Sequence, residues 1–120
     1  MIKKSVDTDV LLSEILHQLE EIKAKDVVLM DFRDIDSAVC SYFIVCTGTS
    51  STHVSSIVGF VEKEVSRSLK ERPWHVEGSG NAQWVLMDYS DIVVHVFQEH
   101  TRGFYDIESL WGDAKVTPIG

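Results

Sequence analysis

The sequence predicts an α/β fold: one domain, with a mixed sheet of about five strands and helices packed on it. Three observations point there. Apolar residues recur at helical spacing in two long segments. Short runs rich in β-branched and aromatic residues lie between and after them. The two patterns alternate along the chain, and that order lays helices on a partly parallel sheet. The 120 residues suffice for a single core, and no repeat or Pro-rich linker divides them.

The elements follow in order. Leu12, Ile15, Leu16, Leu19 and Ile22 share one helical face opposite Glu14, Gln18, Glu20 and Glu21, which predicts a helix over 8–24 in an N-terminal portion 1–25. Asp7 or Thr8 caps it. Val27 to Met30, bounded by Asp26 and Asp31, is a continuous apolar run suited to a strand covered on both faces. Tyr42 to Thr47 predicts a second strand. The stretch Gly48-Thr49-Ser50-Ser51-Thr52 then offers a tight turn and hydroxyl N-caps. Val54, Ile57, Val58, Val61, Val65 and Leu69 make the apolar face of a long helix that must stop before Pro73. A short strand over 74–77 and a loop over 78–81 come next. Gln83 to Asp88 and Ile92 to Phe97 form a hairpin around Asp88-Tyr89-Ser90-Asp91. A last helix over 102–111 carries Phe104, Ile107, Leu110 and Trp111 and closes a core of 26–111. The tail 112–120 is expected to be partly loose. The second and third strands, if parallel neighbours, would form a right-handed crossover.

Composition narrows the function classes. The net charge is −8, so the chain is repelled on average by nucleic acid; the charge either suits a basic protein partner or, the reading that charge alone favours, only maintains solubility. Its densest basic stretch, Lys63 to Arg72, is interleaved with Glu62, Glu64 and Glu71. No apolar run approaches the roughly 20 residues needed to span a bilayer. The N-terminal MIKKSVDTDV lacks the apolar stretch of a signal peptide, which makes the cytoplasm the expected compartment and Cys40 and Cys46 free thiols.

Candidate chemistry is sparse. The strand–Gly48–hydroxyl–helix junction is the place for a nucleotide or other anion, because helix N-terminal N–H groups point outward there. A nucleotidyl-transferring enzyme would also need paired carboxylates on a following strand, and only Glu77 alone and Asp88 with Asp91 across a turn are present. No Gly-Lys-Ser/Thr follows the glycine, so there is no P-loop. The five histidines lack zinc-ligand spacing, neither cysteine has a CxxC partner, and no Gly-x-Ser-x-Gly elbow supports a Ser50-His95-Asp88 triad. No cofactor, metal or catalytic residue is expected. Mid-strand His95 is expected to be a partly buried, hydrogen-bonded histidine. Arg102, Tyr105 and Glu108 share a helix face, suggesting a local ion pair.

Alternation along Gln83–Asp88 puts Trp84, Leu86 and Asp88 on one sheet face and Val85 and Met87 on the other. If the Trp84 face is open, the indole is an anchor for a partner protein; if both faces are covered, it is core.

These segments resemble the ribosomal silencing factor (RsfS, Iojap-like) family. Cys46-Thr47-Gly48-Thr49-Ser50-Ser51 with His53-Val54 resembles its central motif. Glu77-Gly78, Ala82, Trp84-Val85-Leu86, Asp88, Asp91 to Phe97 and Glu99 resemble its second, and Arg102, Tyr105, Leu110 and Trp111 its closing helix. Two departures stand out: Ser41 occupies a position that is usually acidic in the family, and the first helix carries no family motif. The resemblance implies a nucleotidyltransferase-like fold without catalytic carboxylates. It implies binding to large-subunit ribosomal protein fourteen, steric blocking of subunit joining, lowered translation in starvation, and a homodimer when free. The residues expected to meet the partner are Trp84, Leu86, Met87, Asp88, Tyr89, Asp91 and His95.

Overall fold

The computed structural model describes residues 6–38 and 40–120. Helix α1 (Thr8–Glu21) starts where the Asp7 carboxylate accepts from the Asp9 N–H at 2.8 Å. It ends before residue 24 because Lys23 turns into the left-handed region, φ 61°. Strand β1 (Lys25–Asp31) lies antiparallel to β2 (Tyr42–Gly48). Its register shifts between Lys25 and Val28, where Asp26 adopts φ 50°. Such a bulge turns a carbonyl out of the ladder.

Helix α2 (Ser51–Leu69) follows β2 at once, with Ser50 Oγ accepting from the His53 N–H. Gly48 makes this tight junction feasible, since a Cβ there would stand 2.7 Å from Val54 Cγ2. Strand β3 (His75–Glu77) pairs antiparallel with β4 (Trp84–Asp88), and β4 pairs antiparallel with β5 (Ile92–Gln98). Gly78 sits at φ +94° with the Trp84 carbonyl against its backbone, so only glycine fits the β3–β4 connection.

Three sequence expectations are corrected. The 102–111 segment is not one helix: α3 (Glu99–Tyr105) and α4 (Ile107–Leu110) are separated by Asp106 at φ 44°. The strand count rises from about five because, within the tail, Lys115–Pro118 form β6, antiparallel to β1. The sheet therefore has six strands, in the order β3-β4-β5-β2-β1-β6. Finally, β2 neighbours β5 in parallel, not β3, so the α2 connection carries the chain past two strand positions to the sheet edge.

The main core lies between the sheet and α1 with α2. Ile15 and Leu19 of α1 and Val54, Ile57, Val61 and Val65 of α2 meet Ile44, Cys46, Val85, Met87, Val94 and Val96. A smaller cluster of Met30, Phe32, Val45, Phe97, Ile107 and Ala114 forms on the other face, beneath the segment that follows β5. That segment is short, so it covers only part of the second face.

Candidate partner-binding face

Alternation along β4 and β5 settles which side chains reach the partly covered face. Trp84, Leu86 and Asp88 are half-buried there, while Val85 and Met87 point into the helix-covered core. A groove of about 260 Å³ runs beside them, lined by Glu77, Gly78, Trp84 and Leu86.

Trp84 does not stand alone. Its ring stacks on Phe97, with centroids 4.9 Å apart, and Tyr105 of α3 leans on it at 4.9 Å. Its Nε1–H donates to His95 Nδ1 at 3.1 Å. The indole is thus held by three neighbours and still shows part of its surface. This geometry suits a rigid anchor, because little side-chain freedom is left to lose on binding.

His95 is only 3 % exposed and packs edge-on against Phe43, ring centroids 4.5 Å apart. Burial pulls its pKa down to about 4, so the ring is neutral near pH 7. Because Nδ1 accepts from Trp84, the remaining proton belongs on Nε2, which is buried and finds no acceptor among the described residues. His95 is therefore a support for Trp84 and makes no direct contact at the surface.

The other expected contact residues divide. Asp88 and Asp91 edge the face at the β4–β5 turn. Asp88 Oδ1 accepts from the Ser90 N–H at 2.7 Å, and exposed Asp91 accepts from the Thr8 hydroxyl at 3.0 Å. Met87 and Tyr89 do not reach the face. Both are buried in the main core, because β4 turns them toward the helices. Burial also pushes the Tyr89 phenol pKa up.

The structure adds residues of the closing segment to this face. Phe104 is 81 % exposed and Leu110 72 %, with Tyr105 and Trp111 also exposed; only Ile107 of that segment is buried. Trp111 sits edge-on to Phe32 at 5.7 Å and to Phe43 at 6.2 Å. Tyr105 links Phe104 to Trp84, with ring centroids 5.1 Å and 4.9 Å away, so exposed apolar groups of this segment border the Trp84 face as an apolar rim. The available signal was compositional: this short segment carries more large apolar residues than its end of the sheet can cover.

Arg102 fixes that rim. Its guanidinium binds both Glu108 oxygens at 3.0 Å, and Nη1 donates to the Asp26 carbonyl and the Thr47 hydroxyl, each at 2.8 Å. The expected ion pair is present, and it spans the α3–α4 break to lock both pieces onto β1 and β2.

The glycine-hydroxyl turn is differently committed. The Thr49 N–H donates to His53 Nδ1 at 2.9 Å, and the His53 and Val54 N–H groups bond Ser50 Oγ and Ser50 O. These three donors are satisfied from within the turn. Among the described residues no three His, Cys, Asp or Glu side chains converge as a metal site. Both cysteines are free, and burial pushes Cys40 up to about 11 and Cys46 up to about 12, so both are thiols at neutral pH.

Comparisons with known proteins agree with this architecture. The family described as ribosomal silencing factor during starvation matches residues 5–119. A ribosomal silencing factor RsfS of Bacillus subtilis is 36 % identical over 103 residues, covering 83 % of each chain. A crystal structure of a Chromobacterium violaceum protein is similar, with TM-score 0.82, 31 % identity, and 96 % and 95 % of the two chains covered. One from Bacillus halodurans has TM-score 0.78 at 29 % identity, covering 93 % of this chain and all of the other. On the match of nearly its whole length, the chain belongs to the ribosomal silencing factor (RsfS) family.

Proposed function

We propose that this protein is a non-catalytic ribosomal silencing factor. It binds the large subunit through ribosomal protein fourteen and blocks the small subunit sterically, which lowers translation in starvation. The observation that carries the reading is the braced, half-buried Trp84 on a sheet face only partly covered by its own chain. Trp84 and Leu86 enter an apolar hollow on the partner, and Asp88 and Asp91 meet its basic side chains. A net charge of −8 favours approach to a basic ribosomal protein. When free, two copies pair as a homodimer through the same apolar rim.

The test mixes purified subunits with the protein and follows joining by sedimentation. Joining should fall as protein is added and recover with a Leu86→Arg variant, which places a charge in the contact. Normal joining at saturating wild-type protein would overturn the proposal.

A further inference from the structure

The net charge averages over a polarised surface. On the solvent side of α2 lies a groove of about 500 Å³ lined by Gly59, Glu62, Lys63, Ser66, Arg67, Lys70 and Arg72. Four of the chain's eleven Lys and Arg line it, against one of its nineteen acids. Lys63, Arg67 and Lys70 recur at helical spacing along one edge, and Lys70 in the left-handed region (φ 59°) turns the chain so that Arg72 joins them. Arg67 also pairs with Glu64 at 3.0 Å, while Lys63, Lys70 and Arg72 have no ion-pair partner among the described residues. Past Pro73 stands Trp74, 83 % exposed, although its backbone N–H is bonded to the Asp88 carbonyl.

Compensation of the helix dipole accounts for Arg67 and Lys70 at the end of α2. It does not account for Lys63, more than a turn earlier, for Arg72 beyond the helix, or for an indole with almost no packing role. A row of cations followed two residues along the chain by an exposed aromatic ring supplies both elements that hold a single strand of nucleic acid: cations for the phosphates and a ring for a base. We infer that the α2 groove and Trp74 form a secondary contact for single-stranded RNA. The choice of RNA rests on the ribosome-bound role proposed above, in which rRNA is the polyanion at hand. The groove is built from different residues than the Trp84 face, so the two contacts can be broken separately.

The test is fluorescence anisotropy of the full chain with a labelled 12-nucleotide single-stranded RNA of mixed sequence at 50–200 mM salt. Engagement of three to four phosphates predicts that log affinity falls with log salt at a slope of about −2 to −3. A Lys63→Ala/Arg67→Ala/Lys70→Ala variant should lose most of that slope and at least tenfold in affinity at 100 mM salt. Gly59→Glu should weaken binding without harming the fold, since a side chain there meets nothing within 4 Å. Trp74→Ala should cost about fivefold or more with the slope unchanged and should abolish quenching of protein fluorescence by RNA. No binding by the wild type at 50 mM salt would overturn the inference. So would equal binding by the triple variant, or equal affinity for the same sequence as a duplex. The assay contains no ribosomal protein, so its failure leaves the subunit-joining result to stand or fall alone.

Discussion

The Trp84 indole donates its one proton to the buried Nδ1 of His95, 3.1 Å away on the neighbouring strand. Leu86 and His95 are register partners, so this bond crosses diagonally from one residue pair to the next and ties the orientation of the indole to the pleat of the sheet. The bond requires a neutral imidazole, so the posture of the face depends on the protonation of one residue.

Stability should therefore depend on pH above the carboxylate range. The folded pKa of His95 is depressed to about 4 from 6.5, so the unfolded chain binds the extra proton first as pH falls. The stabilisation is complete above pH 6.5 and is lost progressively between there and pH 4. Urea denaturation should show about 2 kcal/mol less stability at pH 5 than at pH 7, most of which a His95→Phe variant should no longer display.

Replacing Trp84 should move His95. Trp84→Ala opens the ring to water and removes the stack on Phe97, which should cost about 2–3 kcal/mol of stability. The His95 pKa, followed by NMR, should climb back toward 6.5. Trp84→Phe keeps the packing but leaves a buried acceptor unpaired, costing about 1–3 kcal/mol.

The two faces of β4 should separate binding from folding. Met87→Ala should cost about 2–5 kcal/mol in stability, because the side chain is fully buried between sheet and helices. At temperatures well below its melting point it should still block subunit joining. Half-buried Leu86→Ala should cost less than about 1.5 kcal/mol of stability and weaken the block roughly tenfold.

Arg102→Ala should loosen the rim selectively. It strands the Glu108 carboxylate and removes the donor to Thr47 and Asp26, a loss of about 2–3 kcal/mol. Amide exchange should accelerate across 107–118 more than in β5. Arg102→Lys should rescue little, since a single ammonium cannot reproduce the fork.

Much of this was legible in the chain, and the exceptions have physical causes. Alternation in Gln83–Asp88 correctly separates Trp84, Leu86 and Asp88 from Val85 and Met87, because a half-covered sheet imposes a period of two. The same alternation argued against Met87 as a contact residue. Strand β6 was hidden, because Lys115–Pro118 are all exposed and pair only at an edge, leaving no hydrophobic signature. The break at Asp106 was hidden too: an aspartate at positive φ is one local choice among several, and no sequence pattern marks it. Phe104, Leu110 and Trp111 sit at helical spacing, and spacing alone does not reveal whether a stripe faces a core or a partner.

The last strand has a consequence for synthesis. Residues 115–118 seal the outer edge of β1, and the Val27 N–H and C=O bond Gly120 and Ile119. Strand β1 thus waits for residues 115–120 to be translated before its backbone is fully paired. Until then it offers an open template to any other nascent strand. Deleting residues 115–120 should leave the same exposure permanently, as aggregation during expression.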